Sequence, residues 1–264
     1  MAGVGIRLNK FFGKNSVTGY LAGSGYSIIT TVAPMLLVIA DILLMQKTLG
    51  YSSASYTNRQ LFQVTILYVF VFSLIASAPL NAVLSRYVSD VIFNETYDDI
   101  MAAFHYGLRG SLIIDAVMVI PFSLHEYFVG GVEIVYILTS VCCFAALSLV
   151  FYTMLYLSLC KDYGKISLFY FLGMAVTFIA AWVFVKKLGM EVTFSMLLAM
   201  TIGFLIIASL GYALLNQYFT KNSRNYREVG RYIRKYWKLI LANTLYTIGL
   251  FIHNFVFWKI PKSR

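Results

Sequence analysis

Residues 15–46, NSVTGYLAGSGYSIITTVAPMLLVIADILLMQ, hold one charged side chain, Asp41. A helix needs about 20 mostly apolar residues to cross the hydrocarbon core of a bilayer, and this stretch exceeds that. Similar runs recur as far as Trp258. They are continuous rather than alternating, which points to helices and away from an outer-membrane barrel. The chain therefore reads as an all-α polytopic membrane protein with about seven transmembrane helices. The expected spans are Val17–Met45, Leu61–Leu84, Gly110–Leu124, Ile134–Cys160, Ile166–Val185, Val192–Asn216 and Leu239–Trp258. The third is short, contains Asp115, and has room to begin earlier, near Met101.

Composition agrees. Of the 264 residues, 60% are hydrophobic and 12% charged, with a mean hydropathy of +0.76; a soluble domain carries about 25% charged residues. The first span is too long for a cleavable signal and lacks a clear small-residue cleavage site, so it reads as a retained helix. Cys142, Cys143 and Cys160 fall in spans without metal-ligand spacing and read as small apolar residues.

Basic residues set the orientation. With the amino terminus (Arg7, Lys10, Lys14) in the cytoplasm, 14 of the 21 Lys and Arg residues fall on inside segments. That bias is the positive-inside pattern of a multi-pass protein in the plasma membrane. The net charge of +10 is then mostly a topology signal, and no nucleic-acid partner is needed to explain it.

The expected organisation is a cytoplasmic segment (1–16), a six-helix transmembrane lobe (17–216), a basic cytoplasmic interfacial helix or linker (217–238), a seventh transmembrane helix (239–258) and a short basic tail (259–264). Two longer cytoplasmic loops are expected: acidic Ser85–Arg109 and basic Thr220–Lys238. In the second, Tyr226, Val229, Ile233 and Tyr236 or Trp237 recur at helical spacing. Arg224, Arg227, Arg231, Arg234, Lys235 and Lys238 supply the rest of its surface. This is the pattern of a helix lying on the anionic cytoplasmic leaflet, or of an ordinary charged loop obeying the positive-inside rule.

Charge at membrane depth costs about 2.5–3.5 kcal/mol per residue on insertion scales. A carboxylate kept in a span needs a water-filled cavity, a partner or a proton. Asp115 is nearer mid-span; it either lines a path or exchanges protons or cations, or it makes a structural hydrogen bond between helices. Asp41 has the same functional reading, with the outer interface as its bland alternative, since Lys47 is six residues away. The other candidate path residues are Asn81, Arg86, His253 and Asn254; Arg86 also suits plain anchoring at the cytoplasmic interface. Pro34, Pro79 and Pro121 each interrupt a span, which permits kinks. No nucleotide-binding loop, nucleophile elbow, HExxH or clustered His/Cys set is present, so no enzyme activity, cofactor or metal is expected.

Particular residues carry a family resemblance. The opening Met1-Ala-Gly-Val-Gly-Ile-Arg-Leu-Asn-Lys10, then Ser16-Val-Thr-Gly-Tyr20, Gly25-Tyr26 and Ala33-Pro34, resemble the amino terminus of the PelG family, transporters of the Pel exopolysaccharide. The likeness recurs at Ser85-Arg-Tyr-Val-Ser-Asp90, at Arg234-Lys-Tyr-Trp-Lys238, and at Leu245-Tyr-Thr-Ile-Gly-Leu-Phe-Ile-His-Asn-Phe-Val-Phe-Trp258. The resemblance implies kinship with multidrug and oligosaccharidyl-lipid flippases, in which two lobes of about six helices enclose a cavity that opens to alternate sides of the membrane. It also implies a polysaccharide cargo, a PelF-like cytosolic glycosyltransferase and PelD- and PelE-like membrane partners. Against that pattern the chain is expected to be truncated after the first helix of the second lobe. Two alternatives stay open: a non-transporting scaffold that docks a glycosyltransferase, and a drug or lipid-linked oligosaccharide flippase of the same superfamily.

Overall fold

The structure, a computed structural model, describes residues 17–160 and 163–256, with side chains for 32–160 and 163–255. The expected cytoplasmic segment 1–16, Trp258 and the basic tail 259–264 lie outside the described residues. Helices α1 (Val17–Thr48), α2 (Tyr56–Phe93), α3 (Asp98–Phe128), α4 (Ile134–Leu159), α5 (Tyr163–Lys186), α6 (Val192–Tyr218), α7 (Tyr226–Lys235) and α8 (Trp237–Val256) follow one another, with a 3-10 turn at Tyr51–Ser53.

The fold is all helical among the described residues, as expected. Five helices, α2 to α6, are long and apolar enough to cross a membrane by length and composition. The two remaining expected spans are also helical, as α1 and α8.

Polar residues start and stop the helices. Ser55 caps α2, its hydroxyl accepting from the Asn58 N–H at 3.1 Å, and Glu191 caps α6 by accepting from the Phe194 N–H at 2.7 Å. Each satisfies an orphan N–H of a first turn. Gly189 ends α5 at φ 64, a left-handed conformation that glycine adopts without steric cost. Pro34, Pro79 and Pro121 lie inside α1, α2 and α3, which continue through them.

The expected acidic loop Ser85–Arg109 is corrected by the structure. α2 runs on to Phe93 and α3 begins at Asp98, so only Asn94–Tyr97 connects them. Apolar side chains continue through the polar sequence: Tyr87, Val88 and Val91 of α2 and Ile100 to Phe104 of α3 are buried. Their burial favours helix past the point where hydropathy alone falls away. The third span accordingly starts well before Gly110.

α4 and α6 form the centre. α4 packs against α2, α3, α5 and α6, and α6 also against α5 and α2. Phe144, Leu147, Tyr152 and Leu157 of α4 and Met196, Met200, Phe204 and Ile207 of α6 are buried there. α5 meets α6 through glycines: a Cβ on Gly203 would collide with the Thr177 hydroxyl and stand 2.9 Å from the Gly173 carbonyl. Small residues allow such close approach, which drives helix association where lipid replaces water. α1 packs on α5, α8 on α2, and α7 on α3 and α2.

Candidate functional site

Two carboxyls sit at depth. Asp115 on α3 is 3% exposed, and Asp41 on α1 is similarly buried. The Ser148 hydroxyl of α4 donates to Asp115 Oδ1 at 2.9 Å. Asp115 Oδ2 and Asp41 Oδ2 have no hydrogen-bond partner among the described residues. Ser111, one turn before Asp115, is buried with its hydroxyl likewise unpartnered. Asp115 thus makes an interhelical bond, one of its two alternatives, with one oxygen and leaves the other unused. No hydrogen bond joins it to Asp41.

The remaining path candidates are spread along α2 and its neighbours. Asn81 is half-buried, and its Oδ1 has no partner among the described residues. One turn earlier, the Ala78 carbonyl accepts from Asn243 Nδ2 of α8 at 2.7 Å. Farther along the same seam, the Tyr68 hydroxyl donates to the Asn254 carbonyl at 3.4 Å, and Phe72 meets Phe255. His253 is exposed. Arg86 is exposed too, but its guanidinium lies 4.4 Å above the Tyr236 ring, at the far end of α2. The six candidates therefore do not converge on one site.

Sequence reasoning missed a sizeable cavity. It encloses about 620 Å³ between α2, α3 and α4, at the end of these helices opposite α7. Val64, Phe72, Met118, Phe122 and Phe144 make its walls mainly apolar. The Tyr136 hydroxyl, which donates to Thr65 Oγ1 at 3.3 Å, and the His125–Glu126 pair at 3.2 Å are among its polar groups. None of the six path candidates lines it. Most of its lining residues read in sequence as ordinary span residues, while His125, Glu126 and Val132 fall between two expected spans. Ser111 and Ser148 were missed as well; the one signal for Ser111 was its place four residues before a mid-span acid.

The basic segment folds as a helix with two unlike faces. Arg227, Arg231, Arg234 and Lys235 of α7 are exposed, as are Arg224 before it and Lys238 at the start of α8. Its apolar stripe turns onto protein. Val229 is fully buried, and Tyr232 packs edge-on against Tyr87 at 5.0 Å and donates its hydroxyl to Asp90. Arg109 reaches over Tyr226 at 5.6 Å, and the Ser223 N–H donates to the Asp98 carbonyl at 3.0 Å. Burial first, then the Asp90 carboxylate, raise the Tyr232 hydroxyl above the ordinary tyrosine value and keep it a donor.

Among the described residues, no group of three or more His, Cys, Asp or Glu converges as a metal site. The geometry offers a lipid-embedded bundle with polar atoms at depth, a cavity at one end and a cationic helix at the other.

Comparison with known proteins identifies the bundle. The family model for PelG, described as "Putative exopolysaccharide Exporter (EPS-E)", matches residues 1–264. No curated protein and no solved structure matches the chain. With the match covering every residue and five helices suited to cross a bilayer, this multi-pass membrane protein belongs to the PelG family of exopolysaccharide exporters.

Proposed function

We propose that the chain moves polysaccharide across the cytoplasmic membrane as the amino-terminal part of a two-lobed, alternating-access transporter. The observation that carries this reading is the family match over residues 1–264. In it, α1–α6 form the first lobe and α8 begins the second, with α7 as the cytoplasmic joint between them. The amino terminus lies in the cytoplasm, where the basic residues of α7 also sit. Energy comes from polymer synthesis or an ion gradient, not from nucleotide hydrolysis by this chain, which acts as a transporter and not an enzyme. PelF-, PelD- and PelE-like proteins are its expected partners.

Asn81 has an unused buried oxygen beside the α2–α8 seam. Unused polar atoms are what a hydroxyl-rich cargo requires, because a sugar that leaves water must find its hydrogen bonds elsewhere. The apolar cavity between α2, α3 and α4 suits a sugar poorly for the same reason, so the cargo path runs along the α2–α8 seam instead.

The test is polymer partitioning in cells that keep an active glycosyltransferase. Deleting the gene should abolish secreted polymer while polymer or its precursor accumulates inside. Secretion that continues unchanged would overturn the proposal.

A second reading has its own support. The exposed cations of α7 stand on a helix fastened to the bundle, a rigid surface suited to an acidic face of a glycosyltransferase. If the chain is a docking scaffold, reversing Arg227, Arg231 and Arg234 to Glu releases the glycosyltransferase from membranes. If it is a transporter alone, the enzyme stays bound.

A further inference from the structure

Asp115 lies in the middle of α3 without a charged partner. It is 3% exposed; one oxygen accepts from Ser148 and the other has no donor among the described residues. Ser111 is 1% exposed, stands one turn earlier on the same helix face, and its hydroxyl is also unpartnered. The helices packed on α3 are chiefly α2, α4 and α7, with α6 touching it through Tyr212 on Phe104. What acts on the Asp115 charge is burial and the Ser148 hydroxyl; no charged side chain from these helices contributes. The acids Asp90, Asp98 and Asp99 and the cations of α7 belong to the opposite end of the helices. The titratable groups lining the cavity are Tyr68, His125, Glu126 and Tyr136.

A bare carboxylate at this depth is expensive, and either a small cation or a proton relieves the cost. A metal cation needs room and typically six or more oxygen ligands. Here the side chains in place are Asp115, Ser111 and Ser148, and the cavity lining includes none of them. A proton needs no volume. It neutralises the carboxyl where it stands, one turn from the unpartnered Ser111 hydroxyl on the same helix face.

The cavity supplies a route. Met118 and Val119 line it from α3 and Phe144 lines it from α4. Met118 and Val119 are three and four residues beyond Asp115, and Phe144 is four before Ser148. One helical turn therefore separates the carboxyl from the cavity lining.

We propose that Asp115, held by Ser148, is a proton-binding site that exchanges with solvent through the cavity between α2, α3 and α4. Bound and released protons change the charge buried between α3 and α4, so the site senses pH on the side to which the cavity opens. This is independent of the cargo: loss of polymer export leaves it standing, and its own failure leaves the transport reading untouched.

The test is reaction of the purified full chain with dicyclohexylcarbodiimide across about pH 5–9. The reagent adds to a protonated carboxyl. The acid proton passes to a reagent nitrogen, the carboxyl oxygen adds to the central carbon, and the acyl group migrates to nitrogen as a stable N-acylurea. Peptide mass spectrometry should find the adduct on Asp115, falling as pH rises. At a fixed pH, Ser148→Ala should label more, having lost the donor that favours the carboxylate. Val119→Trp, which fills the cavity wall one turn away, should slow labelling. Absence of the adduct at every pH, or labelling indifferent to pH, overturns the site. Protection by sodium chloride but not choline chloride overturns it in favour of a sodium site. Unchanged labelling in Val119→Trp overturns the cavity as the route.

Discussion

The phenol of Tyr232 on α7 donates to the carboxylate of Asp90 on α2, 142 positions earlier in the chain. Together with the Tyr87–Tyr232 and Arg86–Tyr236 contacts, it holds α7 against the end of α2. A hydrogen bond to a charged group contributes about 1.5–3 kcal/mol, and less where water competes. Tyr232→Phe should therefore loosen α7 by about 1 kcal/mol without unfolding the bundle. Trypsin cleavage at Arg224 and Arg227 should accelerate, and an unchanged rate would show that the aromatic contacts alone hold the helix.

Gly203→Ala should weaken the α5–α6 contact. Alanine gains up to about 1 kcal/mol of helix propensity over glycine, but the new Cβ meets the Thr177 hydroxyl and a backbone carbonyl 2.9 Å away. Overpacking of this kind costs about 1–3 kcal/mol and outweighs the gain. Thermal unfolding in detergent should fall for Gly203→Ala. It should hold or rise for Gly249→Ala, whose Cβ meets nothing within 4 Å.

Acid should loosen the end of the bundle where Glu191 caps α6. Burial pushes the Glu191 carboxyl up. Hydrogen bonds from the Thr193 side chain, from the Phe194 and Thr193 N–H groups and from Asn58 outweigh it and hold the group below its ordinary 4.5. A depressed folded value contributes stability in full above pH 4.5 and loses it as pH falls through the folded value. Wild type should exceed Glu191→Gln in thermal stability near neutral pH, and the gap should close in strong acid. A gap that persists at low pH would mean the charge is not what matters.

Thiol labelling separates the seam from the protein interior. With Cys142 and Cys160 replaced and fully buried Cys143 retained, Asn81→Cys should react with aqueous thiol reagents. Ser148→Cys, at a fully buried position, should stay silent. The reverse pattern would remove Asn81 from the cargo path.

Hydropathy made α2 to α6 legible because each carries an apolar run long enough for a bilayer. It misread the stretch from Ser85 to Arg109, where the sequence turns polar while alternate faces of α2 and α3 stay buried; a windowed average cannot see one face. Asp115 was legible as a mid-span acid, but its partner Ser148 lies 33 positions away, and only packing of α3 on α4 joins them. The cavity was illegible for a different reason: phenylalanine and valine facing a void look the same in sequence as phenylalanine and valine facing a neighbour. The stripe on α7 was read correctly as amphipathic, but amphipathicity does not say whether its apolar side meets lipid or protein. Val229, fully buried against the bundle, answers that.

α2 also acts as a ruler. Its 38 residues, at about 1.5 Å each, make a rod of about 57 Å. The oily layer is about 30 Å thick, and about 45 Å with headgroups. Upright, the rod is about 12 Å longer than the membrane with its headgroups, and it outreaches the oily layer even at a tilt of about 40°; its Arg86–Asp90 end is where α7 is fastened. The exposed cations of α7 are therefore carried at the end of a rod longer than the oily layer is thick.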